Sequence, residues 1–243
     1  MGRVWPFPSK RKGRRSAARP GPGCLVRAGT RRTPLRPAGR RGTGVASGEA
    51  RRIFRGMVAP QRLAPPMSVE EYLAFEETAP VRHEYVDGYV YAMTGGSLRH
   101  NAIAGNIYQR LRRGGSCHVF INDVKVRVDE SRFYYPDVVV VCGPVDMKGQ
   151  VVRNPCLIVE VLSPSTRTVD QREKVAAYRT IDSLAAYLVI EQDLQVVERH
   201  YRDAAGAWGL GTFAGGTDRT RVPVPCPETA LTLDEIYDGS GVD

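Results

Sequence analysis

Tyr134-Tyr135-Pro136-Asp137-Val138-Val139-Val140-Val141-Cys142 and Cys156-Leu157-Ile158-Val159-Glu160-Val161-Leu162 are the two stretches that decide how this chain folds. Both are continuous apolar runs rather than alternating ones, which is the pattern of central strands covered on both faces. Each also carries a carboxylate where a carboxylate is costly. Glu160 is enclosed by Ile158, Val159, Val161 and Leu162, where an isolated charge costs several kcal/mol unless it is paired, protonated or bound to a metal. Asp137 follows Pro136 at the head of the valine run, and a proline suits the start of a strand, not its middle. One such acid alone reads more readily as a turn cap or as the partner of an arginine. Two of them, on the two most buried strands and about twenty residues apart, point to a shared divalent cation. Hard oxygen donors of this kind suit Mg²⁺ or Mn²⁺, with water and substrate phosphate completing the octahedron.

Working outward, Thr168-Val169-Asp170-Gln171 has the form of a capping box that opens a helix to about Thr180. Asp170, Lys174 and Tyr178 then share one face at i, i+4 and i+8. Lys174 has two readings, an ordinary salt bridge to Asp170 or a cation that assists chemistry at the acids. Glu84 and His100 are weaker candidates, each equally readable as a polar contact at the end of its element. Lys125 alternates with Val124 and Val126 and is expected at the surface. No Gly-x-Gly-x-x-Gly, P-loop, Gly-x-Ser-x-Gly or zinc-type Cys/His spacing is present.

The remaining elements follow from local chemistry. Ser68-Val69-Glu70-Glu71 is a capping box for a short helix with Val69, Tyr72, Leu73 and Phe75 inward. Asp87-Gly88 is the turn pair of a type I′ hairpin between His83–Val86 and Tyr89–Ala92. Residues 98–113 place Leu98, Ala102, Ile103, Ile107 and Leu111 near helical spacing, ended by Gly114-Gly115. Strands are expected at Cys117–Ile121, Val124–Val128, Ala185–Glu191, Val196–Arg202 and Trp208–Phe213, with a last short helix at Leu233–Tyr237. Helices thus mix with a mostly antiparallel or mixed sheet.

Composition bounds the function classes. The 243 residues carry 35 Lys+Arg against 26 Asp+Glu, a net charge of +9. Residues 1–56 hold 16 of the basic residues and one acid, Glu49, so the remainder is acidic at −6. The tail has no apolar periodicity and is expected to be disordered. It reads either as an arm for nucleic acid or as an upstream frame that is not translated, with Met57 or Met67 the start; composition does not separate these. Residues 57–66 read as a linker and 67–238 as the folded domain. At 42% hydrophobic the chain can build a core, and no apolar stretch approaches the length of a membrane span. Five cysteines without a Cys-x-x-Cys pair suggest reduced, mostly buried thiols and a cytoplasmic protein.

The motifs in sequence resemble the Uma-two family of bacterial restriction-endonuclease-like proteins. The resemblance is carried by Tyr135-Pro136-Asp137 with its valines, Val159-Glu160-Val161-Leu162-Ser163-Pro164-Ser165-Thr166, and Asp170…Lys174…Tyr178. Met67–Tyr72, Glu84…Asp87-Gly88…Tyr91 and Leu233–Tyr237 also match, so the similarity runs from Met67 to Tyr237. It implies an α/β (mixed α+β) restriction-endonuclease-like fold of the PD-(D/E)XK superfamily, with a central mixed β-sheet flanked by helices. It implies Asp137 and Glu160 as metal ligands, and Lys174 as the catalytic lysine moved onto the following helix, because residue 162 is Leu. Glu84 matches a glutamate that often accompanies the pair. The expected activity is Mg²⁺-dependent (or Mn²⁺-dependent) hydrolysis of DNA phosphodiester bonds, with DNA as partner and a homodimer by analogy with the fold. The alternative is a catalytically inactive module that binds DNA or a protein; the acidic body counts toward it. A two-carboxylate glycosidase has no further support in the chain.

Overall fold

The computed structural model describes residues 65–113, 115–163, 170–215 and 220–242, with the side chains of residues 170 and 171 excepted. The expectations for the tail at 1–56, the turn after Ser163 and the capping box at Thr168 fall outside these residues. The first helix, α1 (Val69–Thr78), begins as its sequence dictates. Ser68 Oγ accepts from the Glu71 N–H, and the Glu71 carboxylate accepts from the Ser68 N–H. Its inward face is Tyr72 and Glu76, not Phe75, which is 38% exposed. Strands β1 (His83–Val86) and β2 (Tyr89–Ala92) form the hairpin about Asp87 and Gly88, both at positive φ (49° and 92°) as a type I′ turn requires. Helix α2 (Leu98–Arg112) buries Ile103, Ala104, Ile107 and Leu111, while Leu98 stands 92% exposed at its first position.

Six further strands follow: β3 (His118–Ile121), β4 (Lys125–Arg127), β5 (Arg132–Tyr134), β6 (Val138–Val141), β7 (Val151–Val152) and β8 (Leu157–Val161). A π-helical turn (Asp170–Lys174) runs into α3 (Val175–Tyr178). Then come β9 (Ala186–Ile190), β10 (Val196–Arg202), β11 (Trp208–Ala214), the hairpin β12 (Arg221–Pro225) and β13 (Glu228–Thr232), and α4 (Leu233–Tyr237). The central sheet has six strands in the order β11-β10-β9-β8-β6-β3, antiparallel except for the parallel pair β8/β9. This is the mixed sheet expected. A second sheet, β2-β1-β5-β4-β7, was not separable in the sequence: the run Tyr134–Cys142 is two strands in two sheets, with Tyr135-Pro136-Asp137 carrying the chain from one to the other. Asn122 and Asp123, both at positive φ, make the reverse crossing, and the Asn122 N–H donates to the Asp137 carbonyl at 2.9 Å. The two crossings are therefore tied together at Asp137.

Both faces of the central sheet are covered, which is why its strands read as unbroken apolar runs. On one face Val138, Val140, Val159 and Leu188 pack with α2, with the inner residues of the β12–β13 hairpin, and with Leu233, Ile236 and Tyr237 of α4. On the other, Val139, Ile158, Tyr187 and Val189 pack with Ala177 and Tyr178 of α3 and with Val126 and Tyr134 of the second sheet. The cysteines correct the expectation of separate reduced thiols. Cys117 pairs with Cys142 and Cys156 with Cys226. Among the described residues no helix is long and apolar enough to cross a membrane.

Candidate active site

Strands β6 and β8 pair antiparallel with Val138 opposite Val159. One step further along that register, Asp137 and Glu160 face each other across the two central strands. The backbone fixes Asp137, since the Val161 N–H donates to its Oδ2 at 2.7 Å. His100 Nε2 lies 3.2 Å from the same oxygen, brought there by the first turn of α2, where Ser97 Oγ caps the His100 N–H. Gly96 makes room for that ring: a Cβ there would stand 2.8 Å from His100 Nδ1, so any side chain would push the imidazole from its place. His100, a weak candidate in sequence, is thus part of the cluster.

Glu160 is buried (4% exposed) and is compensated twice at Oε1, by Lys174 Nζ at 3.0 Å and by the Tyr178 hydroxyl at 3.0 Å. Lys174 is equally buried, and its ammonium also lies 2.8 Å from Glu84 Oε1. The structure therefore brings Glu160, Lys174 and Glu84 into one ion-paired group, with Asp137 opposite Glu160 in the register of the two strands. Lys174 bridges two carboxylates from different sheets, Glu84 on β1 and Glu160 on β8. Lys174 and Tyr178, four residues apart, share the face that meets Glu160, although the segment before Val175 is a π-helical turn and not regular α-helix. The side chain of Asp170, the other suggested partner of Lys174, lies outside the described residues.

Aromatic groups close the site behind these charges. The Lys174 ammonium sits 5.4 Å from the centre of the Tyr134 ring, and Tyr134 packs edge-on against Tyr178. Burial, followed by the neighbouring Glu160 charge, holds the Tyr178 hydroxyl well above its ordinary range, so it remains a donor. Burial and Glu173, whose Oε1 accepts from the Tyr134 hydroxyl at 3.1 Å, push Tyr134 in the same direction. Tyr134 was hidden in the sequence because it reads as one more core residue of an apolar run.

Lys125 corrects its expectation. It is buried, with its ammonium over the rings of Tyr72 (5.0 Å) and Tyr135 (5.8 Å), and burial lowers its pKa. Nearby Glu76, a second buried carboxylate that the sequence did not reveal, accepts from the Tyr135 hydroxyl and the His83 N–H and pairs with His83 Nδ1 at 2.9 Å. This group lies among α1, β1 and β4 and ties the second sheet to its helix.

The donor set at Asp137 and Glu160 fits a hard divalent cation. Asp137 Oδ2 and Glu160 Oε1 are hard carboxylate oxygens already held in place by the contacts above, the donor type such an ion takes. The pair comes from adjacent, hydrogen-bonded strands, so its spacing is set by backbone and not by flexible loops.

Comparison with known proteins follows the same line. The Uma2 family model, described as "Putative restriction endonuclease", matches residues 69–234. A protein of Synechocystis sp. that carries only the description "uncharacterized" is 36% identical over 186 residues, covering 74% of this chain and 96% of its own length. A second Synechocystis sp. protein, described in the same way, is 32% identical over 156 residues, covering 61% of this chain and 88% of its own. The crystal structure of a "putative nuclease belonging to DUF820" from Anabaena variabilis shares the fold, with a TM-score of 0.58 at 17% identity over 71% of this chain and 98% of that one. The chain belongs to the Uma2 restriction-endonuclease family.

Proposed function

We propose that this Uma2 member is a divalent-metal-dependent endonuclease that hydrolyses phosphodiester bonds of DNA, with Asp137 and Glu160 as the metal ligands. The observation that carries this reading is the pairing of Asp137, at the head of β6, with Glu160 on β8 in one strand register, with a buried lysine against Glu160. Mg²⁺, or Mn²⁺ in its place, would supply Lewis-acid polarisation of the phosphate and acidify a water molecule. The chain's own residues do the rest. Val161 and His100 hold Asp137 in one orientation, and Tyr178 holds Glu160. Lys174 is a fixed positive charge and hydrogen-bond donor, placed where negative charge grows on the phosphate oxygens as the bond to the leaving oxygen breaks. Glu84 anchors that ammonium from the opposite sheet and keeps it from swinging into solvent. Tyr134 and Tyr178 exclude water from the rear of the site, which strengthens each of these electrostatic contacts.

The second reading, a non-catalytic module that binds DNA or protein, is favoured by the −6 charge of the chain after residue 56, since duplex binders usually present a basic face. Supercoiled plasmid incubated with Mg²⁺, Mn²⁺ or EDTA, with a gel-shift assay in parallel, separates the two. Conversion to nicked or linear DNA with either metal and none with EDTA is expected. Retardation of DNA without conversion under any metal would make the chain a binding module.

A further inference from the structure

A different cluster occupies the other end of the strands that carry the carboxylates. Cys117 immediately precedes β3, Cys142 follows β6, Cys156 precedes β8, and Cys226 sits at the tip of the β12–β13 hairpin. The β3–β6 register pairs His118 with Val141, so Cys117 and Cys142 face each other one step beyond it. The Cys156 N–H donates to the Val140 carbonyl, which places Cys156 beside them on the neighbouring strand. Cys226 arrives from 70 residues further along the chain. The two disulfides meet sulfur to sulfur: Cys142 Sγ lies 3.4 Å from Cys156 Sγ. The Sγ atoms of Cys142, Cys156 and Cys226 all lie within 4.8 Å of one another.

We propose that these four cysteines, when reduced, form a tetrathiolate site for a soft divalent cation of the zinc class, and that the disulfide-paired arrangement is the oxidised, metal-free state of the same site. A tetrahedral zinc ion with Zn–S bonds of about 2.3 Å sets its sulfurs about 3.8 Å apart. The unbonded Cys142–Cys156 contact at 3.4 Å is already near that edge. The three sulfurs within 4.8 Å reach it once reduction lets Cys156 and Cys226 separate, with Cys117, bonded to Cys142 but outside that group, closing on the ion as the fourth ligand. Cross-linking alone does not account for the convergence. Cys117–Cys142 joins two strands already held through four register pairs, so as a staple it closes a loop that the sheet has closed. Nothing in a pair of staples requires them to touch. A single ion does require sulfurs from both pairs at one point, and three of the four already stand there.

The site is accessible and has a structural consequence. Cys142 is exposed and the other three are partly so, and an ion or a small reductant can reach them. Through Cys226 the ion would pin the hairpin that sends Val222, Val224 and Leu231 into the core. In the reductive step each disulfide takes two electrons from a dithiol and becomes two thiols, while the dithiol becomes its own disulfide. The cation then displaces four thiol protons, leaving four thiolates around a 2+ charge. Asp137 and Cys142 flank β6 at its two ends, five residues apart and about 16 Å at the rise of a strand, so this site is separate from the carboxylate end.

The test uses the full chain carrying Cys24→Ser, so that only these four cysteines remain, reduced without oxygen and titrated with Co²⁺. The expected result is intense thiolate-to-cobalt charge-transfer and tetrahedral d–d absorption that saturates at one ion per chain and is displaced stoichiometrically by Zn²⁺. Cys226→Ser should weaken Co²⁺ binding at least about tenfold and shift the bands, and Asp137→Asn should leave the spectrum unchanged. Should Cys226→Ser fail to fold, release of zinc from the zinc-loaded parent by a thiol-blocking mercurial gives the stoichiometry directly, with one ion per chain expected. Absence of thiolate–cobalt absorption in the reduced chain, an identical spectrum in Cys226→Ser, or no zinc released would each overturn the proposal and leave two structural disulfides.

Discussion

Strands β6 and β8 end in carboxylates on one side and in cysteines on the other, and the apolar backbone between them is the same. At both ends antiparallel pairing sets two candidate ligands near each other, Asp137 with Glu160 and Cys142 with Cys156. The difference lies in the donors and in what balances them. Hard oxygen donors favour Mg²⁺ or Mn²⁺, whereas sulfur donors favour softer ions. Glu160 is buried against an ammonium and a phenol, and Asp137 is held by a backbone N–H and an imidazole, because a buried carboxylate must be compensated whether or not an ion is bound. The sulfurs need no such support, since as disulfides they are neutral. One scaffold therefore holds a group that carries charge at all times and, at its other end, four sulfurs that are neutral as disulfides.

The sharpest way to break this contrast is at the acids. Asp137→Asn and Glu160→Gln should each lower the cleavage rate by about 10³-fold or more, beyond the loss of a single electrostatic contact. Cobalt binding at the cysteine end should not change. Rates measured under single-turnover conditions check this, and cleavage within tenfold of the parent in either variant would remove that residue from the ligand set.

Lys174→Met should cost about 10²–10³-fold in rate, and it should also destabilise the fold. From sequence alone Lys174 reads as a residue whose charge could be deleted at little structural cost. The structure overturns that, because the change leaves Glu84 and Glu160 close together without their shared cation. A loss of about 3–5 kcal/mol is expected in EDTA, partly recovered by Mg²⁺ if the ion binds the same carboxylates. Urea melts with and without Mg²⁺ measure both. An unchanged midpoint would mean that the buried triad does not exist in solution.

A third effect belongs to the scaffold and to neither end. Burial, and then the charge of Arg179, lower the His200 pKa from 6.5 to about 4, with Tyr187 stacked on the ring. The unfolded chain binds this proton at a higher pH than the folded one. The contribution is thus complete above about pH 6.5 and is lost as pH falls toward 4, up to about 3 kcal/mol in all. His200→Gln should flatten that part of the stability curve, and an unaltered acid limb would show that His200 is solvated. Smallest is Tyr178→Phe, which removes one of the two donors to Glu160 Oε1. It should cost about 1–3 kcal/mol of stability and less than about tenfold in rate, because Lys174 still holds the carboxylate.

Much of this was legible where the signal is local. The capping box at Ser68, the Asp87-Gly88 turn and the helix after Ser97 each follow from a few adjacent residues. Asp137 and Glu160 stood out because carboxylates are costly inside apolar runs. What escaped depended on which face packs against what. Phe75 and Glu76 are neighbours on a helix, and only tertiary packing puts the acid inward to meet Tyr135 and His83. Lys125 alternates with valines as a surface lysine would, yet a second sheet and two tyrosine rings cover it. The hairpin at Arg221–Thr232 was masked by Pro223, Pro225 and Pro227; a two-stranded sheet is all edge, which is where strand prolines are tolerated. The cysteines carry no motif because their convergence is made by strand order and not by spacing.

Equilibrium binding of Mn²⁺ to the DNA-free protein, followed by its paramagnetic resonance signal in the parent, Asp137→Asn and Glu160→Gln, tests the central claim most directly. The account predicts a saturable site in the parent that is lost or weakened at least about tenfold in each variant, with the folded fraction unchanged. Binding of Mn²⁺ by both variants with the affinity of the parent, or no saturable binding by the parent, would contradict it.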